Sequence, residues 1–174
     1  MLLRDRAQLE ALFDELGAGL DRLGVSCEVV MVGGGWLLWH SQRAATRDID
    51  SARRLPAEID EAVQSVAQQH DLDAHWLNDN AAPFWPATAD LDASEIVYES
   101  GGLTVRTPAA NVVFLMKLYR ATPQDREDLI LLWPMCSFAS PEAAAAAFVD
   151  AYPHAPDDEH LANYIADIAR DATS

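Results

Sequence analysis

The sequence predicts a mixed α+β fold, a small mixed sheet flanked by helices and followed by a helical C-terminal half. Strand-like apolar runs lie early in the chain, whereas stretches with helical spacing of apolar residues dominate its later part. Strands that precede helices, instead of alternating with them, argue against a doubly wound sheet. The chain shows neither an internal repeat nor a long linker. We therefore expect a single domain over residues 1–174, with a sheet-containing core over 1–106 and a helical part over 107–174.

Apolar periodicity and turn-forming residues locate the elements in order. Leu9, Leu12 and Leu16 recur at helical spacing in a predicted helix over residues 6–24, which Gly24 ends. A buried strand over residues 27–32 follows and runs into the three glycines 33–35. The remaining predicted elements are a short helix over 36–41, a strand over 47–52, a helix over 56–70, a hairpin over 95–99 and 103–106, and helices over 108–120, 124–133, 141–152 and 157–171. Residues 71–93 are rich in turn-formers and receive no assignment.

The charge balance limits the range of partners. Twelve Lys and Arg residues face 28 Asp and Glu residues, a formal net charge of −16, which argues against bulk attraction to nucleic acid or to an anionic membrane. Four basic residues lie close together in sequence: Arg43, Arg47, Arg53 and Arg54. They suit either a triphosphate or an RNA backbone, or surface pairing with carboxylates. We favour pairing for Arg53 and Arg54, and keep Arg47 as a nucleotide-binding candidate.

The cellular setting follows from what the sequence lacks. Cys27 and Cys136 are too few and too far apart for a disulfide framework or a metal motif, and Cys27 fits a buried free thiol. No stretch approaches the roughly 18 apolar residues of a membrane span. The first residues lack the apolar core of a signal peptide. We expect a cytoplasmic protein with no membrane partner.

Residues 29–51, VVMVGGGWLLWHSQRAATRDIDS, carry the most informative chemistry. Asp48 and Asp50 are two positions apart on a predicted strand, so their carboxylates leave the same face. Two carboxylates suit Mg²⁺, which takes its other ligands from substrate phosphates and water. The turn at Gly33 and Gly34 offers backbone N–H groups to phosphate oxygens. Metal and phosphate sites side by side are what nucleotidyl transfer requires. The alternatives are an ordinary solvated or helix-capping Asp pair and a plain tight turn.

The order of these residues resembles the signature of the polymerase-beta-like nucleotidyltransferase superfamily. It reads Val32-Gly33-Gly34, thirteen intervening residues, and Asp48-Ile49-Asp50. The resemblance implies that Asp48 and Asp50 bind Mg²⁺ and that Gly33 and Gly34 contact the phosphates of an NTP. Members of the superfamily place a third metal carboxylate on a later strand, and Glu99 is the only candidate that this sequence offers.

Residues 106–132, RTPAANVVFLMKLYRATPQDREDLILL, are similar to the C-terminal motif of AbiEii-type minimal nucleotidyltransferases. In that motif a helix ending in a lysine precedes a helix with Asp-x-x-Asp. Lys117 matches the lysine, and Asp125 and Asp128 match the acidic pair. The resemblance implies that Lys117 contacts the nucleotide phosphates and that an aspartate such as Asp128 supports the site. The alternatives are a structural ion pair of Lys117 with Asp128, and an exposed acidic helix N-terminus.

Three hypotheses of function follow. The first is an Mg²⁺-dependent enzyme that transfers NMP from an NTP to an RNA or protein acceptor; AbiEii-type relatives are commonly toxins, some modifying tRNA ends, so a tRNA acceptor and a cognate antitoxin are implied. The second is a catalytically inactive binding module that keeps the nucleotidyltransferase fold. The third is an acidic antitoxin or immunity protein that covers a basic partner.

Overall fold

The computed structural model describes residues 2–120, 122 and 125–173. The chain divides into two compact units. The first, which we call the sheet unit, comprises residues 1–83 and 91–108; the second, the helical unit, comprises residues 84–90 and 109–174. Each unit is described separately below.

The sheet unit contains a five-stranded mixed sheet with the order β3-β2-β1-β5-β4. Its strands are β1 (Cys27–Val32), β2 (Ile49–Ser51), β3 (Leu77–Asn78), β4 (Glu95–Ser100) and β5 (Leu103–Thr107). The central strand β1 pairs antiparallel with β2 and parallel with β5. At the edges, β3 runs parallel to β2, and β4 runs antiparallel to β5.

Three α-helices complete the sheet unit: α1 (Arg6–Leu23), α2 (Gly33–Trp39) and α3 (Asp60–His70). The side chain of Asp5 caps α1 by accepting a hydrogen bond from the Gln8 N–H, and Gly24 ends the helix with a left-handed φ of 68°. The apolar face of α1 packs against α3 and against β4 and β5. The core of this unit therefore lies between α1 and the sheet, where Leu9, Phe13 and Leu16 are fully buried.

The helical unit consists of α4 (Ala110–Arg120), α5 (Asp125–Leu132), α6 (Pro141–Ala151) and α7 (Leu161–Asp171), within the residues described. The hydroxyl of Ser140 caps α6 by accepting from the Ala143 N–H, with Pro141 in the first helical turn. Helix α4 packs against α5 and α6, and α5 packs against α7. An ion pair of 2.5 Å between Arg126 on α5 and Asp171 on α7 joins the latter two helices.

The mixed α+β class is confirmed, and so are strand β1, the hairpin of β4 and β5, and the order of the late helices. Of the helix predicted over residues 124–133, Gln124 lies outside the described residues. Among the residues that are described, no helix combines the length and the apolar character that crossing a bilayer requires.

Several boundaries differ from the prediction. Strand β2 spans Ile49–Ser51 instead of 47–52, so Asp48 precedes it, and α4 and α7 begin at Ala110 and Leu161 instead of at 108 and 157.

Two more helix starts differ as well. Helix α2 begins at Gly33 and not after the glycines, so the glycines form its first turn. Close packing accompanies this start: a Cβ on Gly35 would lie 3.0 Å from Ile49 Cδ1 and 3.2 Å from Met31 Cγ, so glycine lets the helix approach the sheet without displacing these side chains. The helix predicted from Pro56 opens with a 3₁₀ turn over Ala57–Ile59, and α3 begins at Asp60.

The substitution Gly17→Ala tests the packing of α1. By helix propensity alone, alanine would stabilise this position by about 1 kcal/mol. In the fold, however, a Cβ on Gly17 would lie 2.0 Å from the carbonyl oxygen of Ser100. We therefore expect Gly17→Ala to lower the free energy of unfolding, by about 1–3 kcal/mol, through overpacking.

Urea denaturation measures this effect, and Ala18→Gly, at the exposed neighbouring position, provides the control for propensity. A Gly17→Ala variant as stable as the wild type would show that α1 does not pack on the turn at Ser100 as described.

Candidate active site

The junction of β1 and α2 brings Asp50 against the backbone. Gly33 has a φ of 62°, in the left-handed region that favours glycine. A Cβ on Gly33 would lie 3.0 Å from Oδ2 of Asp50. The two strands deliver this contact because Val32, the residue before Gly33, is the register partner of Asp50. Glycine at position 33 thus accommodates both the left-handed backbone and the close approach of the Asp50 carboxylate.

Asp50 and Asp48 differ in their surroundings. Asp50 lies inside β2, half-buried between the fully covered Ile49 and Ser51, as expected for alternation across a strand. Asp48 is exposed and immediately precedes the strand; its backbone carbonyl accepts a hydrogen bond of 3.1 Å from the Thr46 hydroxyl. The carboxylate of Asp50 is therefore held by the fold, whereas that of Asp48 faces solvent.

Gly34 provides a second close approach. A Cβ at this position would lie 2.5 Å from Oγ1 of Thr46 and 3.2 Å from Nη1 of Arg43. The guanidinium that reaches the glycine segment is thus that of Arg43. Arg47, the candidate from the sequence, is exposed and forms no hydrogen bond or ion pair of its side chain with the described residues.

The favoured interpretation of Arg53 and Arg54 is confirmed. Arg53 pairs with Glu28 at 2.8 Å and also with Asp92, and Arg54 lies 3.5 Å from Asp79. These two arginines balance local carboxylates.

Asn78 is a residue of this region that the sequence did not reveal. Strand β3 pairs in parallel with β2, and Asn78 is the register partner of Asp50. Its amide Nδ2 donates to the His75 carbonyl at 3.3 Å, and its Oδ1 accepts from the Asn80 N–H at 3.0 Å. A strand of two residues inside a turn-rich segment is too short to show periodicity, so residues 71–93 received no assignment.

Glu99 does not join the aspartates. It is paired with Thr104 on β5, and Thr104 is paired with Glu28 on β1. Asp50, by contrast, is paired with Val32, four residues further along β1 and so roughly 13 Å away along the strand. Among the described residues, no group of three or more His, Cys, Asp or Glu side chains is arranged to hold a metal ion.

Within the helical unit, Lys117 of α4 is buried between two carboxylates of α5. Its Nζ lies 3.1 Å from Asp125 Oδ1 and 2.6 Å from Asp128 Oδ2. All three side chains are buried, with residue exposures of 8, 4 and 7%. The interpretation of Asp125 and Asp128 as an exposed helix face is therefore wrong, because their charges are removed from water and compensated by the lysine.

Opposing effects act on the carboxyl of Asp125. Burial by itself raises its pKa, but the hydrogen bonds from the Thr122 hydroxyl and backbone N–H, together with the charge of Lys117, outweigh burial and leave the pKa below the ordinary value. The two bonds from Thr122 hold Asp125 at the first residue of α5. Asp125 is thus ionised at neutral pH and serves both the helix start and the lysine.

The candidate residues fall into two groups. In the sheet unit, Gly33 and Asp50 come together, with Asn78 in register beside Asp50, and Asp48 flanks them in sequence. In the helical unit, Lys117 contacts both Asp125 and Asp128.

This fold and the Gly-Gly and Asp-x-Asp arrangement define a nucleotidyltransferase-like protein. A family described as nucleotidyltransferase of unknown function (DUF6036) matches residues 7–132. The chain belongs to this family, since the match spans well over half of its length. No curated protein and no solved structure matches the chain.

The variant Gly33→Ala tests the junction. A left-handed backbone costs a non-glycine residue about 1–2 kcal/mol, and a Cβ would additionally press on the Asp50 carboxylate. Gly24→Ala is a matched control, because Gly24 has a φ of 68° but nothing lies within 4 Å of its added Cβ. We expect Gly33→Ala to lose more stability than Gly24→Ala in thermal unfolding.

Adding Asp50→Ala to both variants should remove the difference between them, since the contact with the carboxylate is then absent. Equal losses at the two glycines in the presence of Asp50 would contradict the described contact.

The variant Lys117→Met tests the buried ion cluster. Removal of the lysine takes the positive charge away from two buried carboxylates, so we expect a loss of about 3–5 kcal/mol in the free energy of unfolding at pH 7. The triple variant with Asp125→Asn and Asp128→Asn should recover part of this loss. The loss in Lys117→Met should also shrink at acid pH, because a protonated Asp125 needs no cation; since Lys117 helps to hold the pKa of Asp125 below its ordinary value in the wild type, the stability that this pair contributes is present at neutral pH and is lost as the pH falls through that lowered pKa. Urea denaturation at several pH values measures the recovery in the triple variant and the pH dependence of the loss. A loss of stability that does not change with pH would show that packing of the aliphatic part of Lys117, and not its charge, accounts for the effect.

Proposed function

We propose that the chain is a metal-dependent nucleotidyltransferase that binds an NTP with Mg²⁺ and transfers its NMP to an RNA or protein acceptor. One observation carries the proposal: the Asp50 carboxylate lies against the left-handed Gly33 at the end of the central strand, in a chain that belongs to a nucleotidyltransferase family.

The residues present fit a magnesium ion. The donors are carboxylate oxygens from Asp48 and Asp50, and the absence of a Cβ at Gly33 leaves open the space beside Asp50 Oδ2 that a side chain would fill. Mg²⁺ typically takes one or two carboxylates and completes its shell with phosphate oxygens and water. Two aspartates are therefore sufficient for a site that is completed by the substrate.

Each residue has a definite part in the proposed reaction. Asp48 and Asp50 would hold the ion, which when bound neutralises charge at the reacting phosphate and orients the attacking hydroxyl. Gly33 and Gly34 would present backbone N–H groups to the phosphates; Val32, the residue before the first turn of α2, makes no side-chain cap bond to them. The guanidinium of Arg43 lies beside Gly34 and adds positive charge near the two glycines. We also propose that Arg47, whose side chain is exposed, contacts the nucleotide.

Lys117 has a structural role in its ion pairs and a second role that we propose. The ion pairs with Asp125 and Asp128 hold α4 and α5 together. From the AbiEii-type resemblance we additionally propose that Lys117 contacts the nucleotide phosphates, with Asp128 fixing the position of its ammonium group. The same resemblance supports the role of a toxin with a cognate antitoxin, and a tRNA among the acceptors. Because the chain has a net charge of −16, we propose that the exposed Arg43 and Arg47 contact the phosphates of an acceptor RNA.

A second candidate is a binding module that holds a nucleotide without transferring it. The observation in its favour is that, over the described part of the chain, metal-binding side chains nowhere gather in a group of three or more. An acidic antitoxin or immunity protein that binds a basic partner is the further alternative, supported by the net charge.

Calorimetric titration of each NTP, with and without Mg²⁺, tests the nucleotide site. We expect Mg²⁺-dependent binding by the wild type and its loss in the Asp48→Ala, Asp50→Ala double variant. The control is Asp157→Ala, Glu159→Ala, which removes the same charge from two exposed positions of the helical unit. No Mg²⁺-dependent binding by the wild type, or equal loss in the control, would overturn the proposal.

Radiolabel transfer separates the enzyme from the binding module. An NTP labelled at the α-phosphate should label tRNA or a protein acceptor in the presence of the wild type and not of the double variant. Binding without transfer to any acceptor would favour the module.

A further inference from the structure

The sheet places an amide beside Asp50. Asn78 on β3 and Asp50 on β2 are register partners in a parallel pair. Register partners on neighbouring strands project from the same face, with the strands about 4.8 Å apart. Asn78 is therefore a polar residue directly across from Asp50, whose carboxylate contacts Gly33.

The amide of Asn78 is oriented by two hydrogen bonds. Nδ2 donates to the carbonyl of His75, and Oδ1 accepts the N–H of Asn80. A carbonyl oxygen has two lone pairs, so Oδ1 keeps one acceptor position beyond its bond to Asn80. The side chain is half-buried and its orientation is fixed before any ligand arrives.

We propose that Asn78 supplies a third oxygen donor to the magnesium site, and that its neutrality makes metal binding depend on the nucleotide. The inference rests on the proposed function. Two carboxylates and an amide carry two negative charges, one fewer than three carboxylates, and affinity for a hard divalent cation follows the charge count of its ligands. The phosphates of the NTP supply the missing charge, so the protein takes up the Mg²⁺–NTP complex and binds the free ion weakly.

A purely structural role for Asn78, in shaping the turn to Asn80, predicts a different outcome. Asn78→Asp distinguishes the two, because aspartate keeps the size of the side chain and the acceptor for the Asn80 N–H while adding one charge. Asn80→Asp adds the same charge two residues away at an exposed position that has no register partner in the sheet.

The experiment is a titration with Mn²⁺ alone, followed by calorimetry or by the electron paramagnetic resonance signal of the free ion. We expect weak binding by the wild type and by Asn80→Asp, and binding at least about tenfold tighter by Asn78→Asp. Asp50→Asn in the Asn78→Asp background should remove the gain. The inference is overturned if Asn78→Asp binds no more tightly than the wild type, if Asn80→Asp matches it, or if the gain survives Asp50→Asn.

Asn78→Ala provides a second measurement, should Asn78→Asp fail to fold as judged by circular dichroism. We expect it to bind Mg²⁺–NTP about tenfold more weakly than the wild type, and unchanged affinity would overturn the inference. The Mn²⁺ titration contains no nucleotide, so it is independent of the NTP titration. Failure of the wild type to bind any Mg²⁺–NTP would refute the proposed function, whereas the Mn²⁺ titration tests the role of Asn78 as a ligand independently of that result.

Discussion

The divided pairing of strand β1 is the constraint on which the sheet unit depends. Residues Cys27 to Val30 pair with β5, whereas Met31 and Val32 pair with β2. The strand is thus held on one side along its first part and on the other side along its last part. The last two residues of β1 therefore lie beside β2, and the next residue, Gly33, already begins α2. A left-handed Gly33 makes that turn, and the same geometry brings Asp50 against it.

Charge compensation explains how a chain with 28 acidic and twelve basic residues keeps ionised groups inside both units. On the sheet, Glu28 forms ion pairs with Arg53 at 2.8 Å and with Arg106 at 3.1 Å. In the helical unit, one lysine serves two buried aspartates. Partly exposed pairs such as the first contribute little to stability, whereas the buried cluster is costly to break because the aspartates would remain buried without the positive charge of Lys117.

Local signals in the sequence were sufficient for the elements that local interactions determine. The apolar spacing of α1, its end at Gly24 and the β4–β5 hairpin needed no tertiary information. Spacing and resemblance assigned Gly33 and Asp50 to one site, but they did not predict the contact between the two residues. The start of α2 could not be predicted, because glycine is a poor helix former and the reasons for the three glycines are tertiary: Asp50 lies beside Gly33, Thr46 beside Gly34, and Ile49 and Met31 beside Gly35. The register of the strands could not be predicted from the sequence either. Glu99 was the only candidate that the sequence offered for a third metal carboxylate, whereas the sheet places Asn78 beside Asp50.

The buried cluster also shows how the matched region is completed by the rest of the chain. The family match ends at residue 132, the last residue of α5. Asp125 and Asp128 therefore lie inside it, yet α5 also packs against α7, to which Arg126 is tied through Asp171. A lysine and two aspartates remain buried only while the surrounding helices exclude water. Since α6 packs on α4 and α7 on α5, helices beyond the matched region pack against both helices that carry the cluster. The three residues of the cluster lie in the matched segment, but the helices that hold them are themselves packed on helices outside it.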